Sequence, residues 1–228
     1  MLRFVREALR DIHHTGSVWP SSPALARAMT RGMTALRGPR RILEVGPGTG
    51  PFTERILKQL RRHDRFDLVE MNEAFCKDLE KRLLQPFRRR RGDIHVALHR
   101  APIQEALLEG GYDLIVCGLP FNNFPPSLVR SIFRRMLALL REGGELAYFE
   151  YAGVRTLKSP LVGETGRRKL RGIGHVGASL RRRYGGRREL VLGNIPPALA
   201  THLCKKAGPR TARAPRRKRG RVARVKAA

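Results

Sequence analysis

From Arg41 onward, short apolar runs alternate with segments whose apolar residues recur every three to four positions. Residues 41–45, 66–70, 94–98, 112–117 and 145–151 read as five strands, and the stretches 51–62, 72–86 and 126–140 between them read as helices. Strands spaced by helices of this length predict a parallel sheet with helices on both faces. Leu68-Val69 and Leu114-Ile115-Val116 are continuously apolar, as central strands covered on both sides must be. Ahead of the sheet, the loop 16–23, with its serines and Pro23, prepares a helix over 24–33. Earlier still, Leu2, Phe4, Val5, Ala8, Leu9 and Ile12 fall at helical spacing between Arg3, Arg6, Glu7, Arg10 and Asp11. They describe a short amphipathic helix that either packs on the domain or lies on a membrane. Beyond Tyr151 a helix is expected over 165–183 despite its glycines. Strands at 189–192 and 198–203 then flank the turn Asn194-Ile195-Pro196-Pro197, forming an antiparallel terminal pair that closes the sheet.

Composition sharpens this outline. A chain of 228 residues suits one α/β domain with appendages: a helical cap over 1–38, the sheet domain over 39–204 and a tail over 205–228. The tail holds eleven Lys or Arg among 24 residues and no acid, so it buries no core and is expected to be disordered. Overall, 47 basic residues against 19 acidic ones leave a net charge of +28, which draws the protein to polyanions. Charge alone does not choose between nucleic acid and an anionic membrane surface. Cys76, Cys117 and Cys204 are widely spaced and lack a CxxC pair, which suggests neither a disulfide framework nor a zinc knuckle. The seven histidines lack metal-ligand spacing, so no metal is expected. The first ten residues read as neither a signal peptide nor a membrane span.

The chemistry concentrates behind the first strand, in Glu44-Val45-Gly46-Pro47-Gly48-Thr49-Gly50. Glycines at alternate positions let the backbone turn sharply and approach a ligand with no Cβ in the way. The spacing is GxGxG, whereas a pyrophosphate-binding fingerprint needs GxGxxG. Glu70 ends the second strand twenty residues after Gly50, where a carboxylate at the carboxyl edge accepts from ribose hydroxyls. Glu44 adds a second carboxylate at the loop entry, which suits a cationic amino-acid cofactor. That combination points to S-adenosylmethionine.

In order along the chain, ILEVGPGTGPFTERIL, DLVEMN and YDLIVCGLPFNNFPP resemble the motifs of class I S-adenosylmethionine-dependent methyltransferases. Within that superfamily, three segments resemble bacterial phospholipid N-methyltransferases, which methylate phosphatidylethanolamine towards phosphatidylcholine. They are the leader HHTGSVWPSSPALARAM, GLPFNNFPP and FEYAGVR. The resemblance implies a Rossmann-like, doubly wound, seven-stranded, mostly parallel α/β sheet with an antiparallel last strand pair. It also implies cofactor contacts. Gly46, Pro47, Gly48, Thr49 and Gly50 line the methionine and ribose, while Glu44 serves the methionine ammonium. Glu70, followed by Met71, holds the ribose diol, and Ala101 and Pro102 complete the adenine pocket. Gly118 and Leu119 lie beside the transferred methyl. Many relatives place an acid near the adenine amino group, whereas His99-Arg100-Ala101 offers none.

For the acceptor, methyl transfer needs a neutral amine in line with the methyl and sulfur. A lipid ammonium must therefore lose a proton, and His13, His14, Glu150 and Tyr151 are placed to take it. Gly118-Leu119-Pro120-Phe121 resembles the Asp/Asn-Pro-Pro-Tyr/Phe tetrapeptide of amino-methylating enzymes, with Gly118 where the acid or amide stands, and Asn122 follows it. Phe121, Trp19 and Tyr151 can form an aromatic wall for a methylated cation, or Phe121 and Trp19 can be core. The expected partner is a phosphatidylethanolamine-type lipid on an anionic membrane surface, with the protein cytoplasmic and peripheral at the inner face. The alternative is an enzyme similar to the ribosomal-RNA adenine N6-methyltransferases, favoured by the charge but lacking a separate RNA-binding module.

Overall fold

The computed structural model describes residues 21–152 and 164–206. The amphipathic segment of residues 2–12, together with His13, His14 and Trp19, lies outside the described residues, as does the basic tail beyond Lys206.

Helix α1 (Pro23–Met29) starts where the Ser22 hydroxyl accepts from Leu25 N, with Pro23 in its first turn, and a 3₁₀ turn (Arg31–Thr34) follows it. The sheet domain then runs β1 (Arg41–Val45), α2 (Pro51–Leu57), β2 (Arg65–Val69), α3 (Glu73–Leu79), α4 (Gln85–Arg90), β3 (His95–His99), β4 (Tyr112–Cys117), α5 (Pro126–Leu139), β5 (Leu140–Tyr151), α6 (Glu164–Tyr184), β6 (Arg187–Val191) and β7 (Ala198–Cys204). The seven strands lie in the order β3-β2-β1-β4-β5-β7-β6. Strands β1 to β5 are parallel, and β7 runs antiparallel to both β5 and β6. The expected antiparallel terminal pair is thus present, with β7 inserted between β5 and β6 as the one reversed strand.

Alternate residues of each strand feed two cores. Leu43, Val69, Ile115 and Tyr148 pack beneath α5 and α6, while Ile42, Phe66, Leu114 and Phe149 pack beneath α1 and α2. Both faces are therefore covered, and the central strands need the continuous apolar character that marks them in the sequence. Register aligns the strand ends: Val45 lies opposite both Val69 and Cys117, and Cys117 lies opposite Tyr148. Gly46, Glu70 and Gly118 consequently share the carboxyl edge. The strand order reverses between β1 and β4 there, which opens the crevice where such sheets take ligands.

Several boundaries differ from the sequence expectation for local reasons. Helix α2 ends at Leu57, not at residue 62, because the chain turns through His63 (φ 67°) to deliver Asp64 to Arg40. The helix expected to stop at Pro86 continues to Arg90. Proline lacks an N–H, and a wide π-helical turn over Glu80–Leu84 precedes Pro86 and leads into α4. Strand β5 starts at Leu140, before the expected turn at Gly143-Gly144. Gly143 N donates to Lys205 O at 2.7 Å, and a Cβ on Gly144 would stand 2.9 Å from Tyr112 O, so this stretch lies against its neighbours.

Candidate cofactor and acceptor site

The loop after β1 is fixed from three sides. Gly46 N donates to Val69 O at 2.9 Å, Gly50 N to Pro47 O at 3.0 Å, and Arg82 reaches across to the Thr49 carbonyl at 2.7 Å. Pro47 is buried and Thr49 exposed. Gly118 N donates to Val45 O at 2.8 Å, and a Cβ on Gly118 would stand 2.5 Å from Gly46 O, so the loops after β1 and β4 touch through glycine. Gly48 is different. Its φ is 57° and a Cβ there would meet nothing within 4 Å, so the loop presents bare backbone to open space.

One carboxylate is bonded to that loop and a second stands at its entry. Glu70 Oε2 accepts from Gly48 N at 3.1 Å, and Oε1 accepts from Met71 N and Asn72 N, each at 2.9 Å. The residue expected to hold a ribose thus also ties the glycine loop to the end of β2. Glu44 is fully buried and its Oε2 accepts from the Thr53 hydroxyl at 2.7 Å. Its Oε1 has no hydrogen-bond partner among the described residues. Burial pushes the Glu44 carboxyl up to about 8, with the Glu70 charge adding to the rise and the Thr53 hydrogen bond opposing it. A buried acceptor lacking a donor, beside a second carboxylate, is a site for a cation. Glu44, Glu70 and the open side of Gly48 therefore fit the ammonium and ribose ends of S-adenosylmethionine.

Ala101 is half-buried against the α5 side of the core, and Pro102 O accepts from Glu105 N and Ala106 N, which turns the chain just after β3. His99 turns away from the crevice: its Nε2 lies 3.0 Å from the buried Asp67 carboxylate, which also accepts from Tyr112 Oη at 2.9 Å. Burial disfavours the thiolate at two of the cysteines. Burial raises Cys117, at the end of β4, to about 12 and Cys76 to about 11.

On the acceptor side, Gly118, Leu119 and Pro120 are half-buried and lead into a 3₁₀ turn, Phe121–Asn123. Phe121 is 3% exposed and packs on Phe133 with centroids 4.7 Å apart, and on Phe124 and Tyr148. Its ring belongs to the core, which leaves the aromatic wall without it. Asn122 follows with its Oδ1 buried and unpartnered among the described residues. Glu150 and Tyr151 lie on opposite faces of β5, so they do not act at one point: Tyr151 packs on Phe149, and Glu150 is buried beneath α6.

Two residues not singled out in the sequence join Glu150. A Cβ on Gly177 of α6 would stand 3.2 Å from Arg181 Nη1, 3.5 Å from Tyr148 Oη and 3.9 Å from Glu150 Oε1. Burial, and then the Glu150 charge, raise the Tyr148 phenol, while Arg181 opposes them. The glycine gives the only hint of this convergence in the sequence. Among the described residues no group of three or more His, Cys, Asp or Glu can hold a metal ion, and no helix is long and apolar enough to cross a membrane.

Comparison with known proteins agrees with this geometry. Residues 43–146 match the family model described as a methyltransferase domain. An ornithine lipid N-methyltransferase from Singulisphaera acidiphila is 31% identical over 133 residues, which is 56% of this chain and 66% of that protein, just under two thirds of its length. Among solved structures, a candidate rRNA methylase from Clostridium thermocellum superposes with a TM-score of 0.59 at 14% identity, covering 83% of this chain and 100% of that one. The O-methyltransferase TomG from Streptomyces achromogenes, involved in tomaymycin synthesis and solved with S-adenosylmethionine, gives 0.55 at 16% identity, covering 90% and 100%. At these identities the structures establish the fold alone. The strand order, the glycine loop with its two carboxylates and the matched domain agree with one another, and together they support a class I S-adenosylmethionine-dependent methyltransferase domain over residues 43–146.

Proposed function

We propose that the protein methylates the amine of phosphatidylethanolamine, or of its partly methylated derivatives, at the inner face of a membrane. The observation that carries this reading is Asn122 Oδ1, a buried acceptor without a donor among the described residues, on the turn that follows β4 at the carboxyl edge. Such an oxygen accepts one N–H of an amine and holds its lone pair in a fixed direction. The likeness to an ornithine lipid N-methyltransferase supports a lipid amine in that place.

S-adenosylmethionine supplies a methyl on a sulfonium, already a good leaving group, so the protein's task is alignment and removal of one proton. Glu44 and Glu70 hold the cofactor's ammonium and ribose. Glu150, buried at the end of β5 on the α6 side, takes the proton that a lipid ammonium must lose, with Tyr148 and Arg181 setting its position. His14 and Tyr151 are the other acceptors to test.

Radiolabelled S-adenosylmethionine supplied with phosphatidylethanolamine vesicles, ornithine-lipid vesicles or unmodified ribosomal RNA tests the reading. Label is expected in phosphatidylethanolamine and lost with Asn122→Ala. Label in ornithine lipid alone replaces the headgroup but keeps the lipid amine. Label in RNA alone overturns the proposal in favour of the rival that the +28 charge also serves.

A further inference from the structure

Three large apolar side chains stand in water on one hairpin: Leu190 is 53% exposed, Leu192 72% and Ile195 71%. Single exposed leucines are ordinary, but three within six residues on a connection that is otherwise firmly held are not. Asn194 is 1% exposed; its Oδ1 accepts from Ser22 N at 2.8 Å and its Nδ2 donates to Pro196 O at 2.8 Å. A Cβ on Gly193 would stand 3.2 Å from the Ala24 Cβ, and Ala152 N donates to Pro197 O at 2.6 Å. A buried asparagine and two backbone anchors thus hold Leu192 and Ile195 outward.

The place of this hairpin gives it meaning. Strand β6 runs parallel to β1–β5, so its carboxyl end and residues 192–197 lie on the same edge as Gly48, Glu70, Asn122 and Glu150. Helix α6 returns from the carboxyl end of β5 to the amino end of β6, which puts its first turns on that edge too. A Cβ on Gly172 would stand 2.7 Å from Pro126 Cγ, at the start of α5, so the turns before Gly172 rise at the mouth of the crevice. They carry Arg167, Arg168 and Arg171, all exposed. The rim therefore offers apolar side chains and guanidinium groups together. An anionic bilayer uses both, one in the acyl region and the other at the phosphates. A nucleic acid would use only the arginines.

We propose that Leu192 and Ile195 of the β6–β7 connection, with Arg167, Arg168 and Arg171 of α6, form a docking surface for an anionic phospholipid bilayer, which seats the mouth of the site on the membrane. The proposal rests on the lipid-acceptor reading and adds the elements that make the contact.

The full chain is tested for co-sedimentation with vesicles of phosphatidylglycerol and phosphatidylcholine, which contain no amine substrate. The Leu192→Asp/Ile195→Asp variant is expected to bind about tenfold more weakly or worse at every salt concentration. Arg167→Gln/Arg168→Gln/Arg171→Gln is expected to lose affinity at low salt and converge on the wild type at high salt. Both are expected to keep wild-type cofactor affinity and wild-type methylation of a monomeric short-chain phosphatidylethanolamine. Wild-type vesicle binding by the Leu192/Ile195 variant overturns the docking surface, whatever the acceptor. If instead RNA binding falls only in the arginine variant and vesicle binding is untouched, the rim is a nucleic-acid surface and the proposal fails. Failure of the wild type to methylate the monomeric lipid, with vesicle binding still lost in the variants, overturns the acceptor and leaves the docking surface standing.

Discussion

The proposed placement of the cofactor ammonium at Glu44 couples cofactor binding to a proton. With burial raising its carboxyl to about 8, Glu44 is mostly protonated near neutral pH in the cofactor-free protein. A cation set against Oε1 favours the carboxylate and lowers that value, so binding releases a proton below about 8. Affinity for S-adenosylmethionine should therefore rise as pH climbs towards about 8 and level off above it. Calorimetry near neutral pH, in buffers of different ionisation enthalpy, reads the released proton; Glu44→Gln should abolish the release and flatten the pH slope. A buffer-independent enthalpy for the wild type would contradict the placement of the ammonium. The sign for stability is the opposite. A folded value raised above 4.5 means that ionising Glu44 costs stability as pH climbs from 4.5 to about 8. Glu44→Gln should accordingly raise the melting temperature of the cofactor-free protein more above that window than below it.

At the scale of elements, the entry to β1 hangs on a buried ion pair. Arg40 is 1% exposed and Asp64 is 1% exposed. The Arg40 guanidinium donates to both Asp64 oxygens, to Met33 O at 3.0 Å and to Gln59 O at 2.6 Å, while Arg61 N donates to the same carboxylate at 2.7 Å. One side chain thus joins the turn after α1, the end of α2 and the start of β2. Arg40→Met leaves a buried carboxylate uncompensated and should cost about 3–5 kcal/mol by denaturant unfolding, with Arg40→Met/Asp64→Leu recovering much of it. Burial acts to raise the Asp64 carboxyl, but Arg40 and two backbone N–H groups outweigh it and hold the group below its ordinary value. Its contribution is present above the unfolded value near 3.8 and lost as pH falls through the lower folded one, so Arg40→Met should lose the acid limb of the wild-type stability profile. The same pair shows where sequence reading ends. Strands β1 and β4 are legible to the residue because their apolar runs are bounded by glycine and charge. The early stop of α2 depends on Asp64 finding Arg40 across the fold, which no period reveals. Likewise Glu44, Glu70 and the glycine loop follow from spacing along one βαβ unit. The meeting of Tyr148, Glu150 and Arg181 at Gly177 depends on how α6 docks.

Over the whole molecule, basic residues are spread along the chain, and Lys205 stands just before the basic run of residues 207–228. Lys205 is tied to the sheet domain: its Nζ donates to Leu137 O at 3.0 Å and Leu140 O at 2.7 Å, covering carbonyls at the end of α5, and its backbone pairs with Gly143 and Gly144. Removing residues 205–228 strips those bonds, at about 1 kcal/mol each, and should lower the melting temperature. Removing 207–228 spares them and should leave it unchanged. That shorter deletion still takes nine basic residues and no acid, a large part of the long-range attraction to anionic surfaces. Vesicle binding by the 207–228 deletion should fall most at low salt and meet the full chain as the Debye length shrinks to about 3 Å near 1 M salt. Cofactor affinity should not move, because Glu44, Glu70 and the loop at Gly48 lie at the carboxyl edge, whereas Lys205 leaves β7 beside Gly144 at the opposite edge. Vesicle binding that survives the deletion at high salt and is then lost with Leu192→Asp/Ile195→Asp isolates the contribution of Leu192 and Ile195, since salt screens arginine contacts but not apolar insertion. Loss of all binding at high salt in the full chain would assign the membrane contact to charge alone.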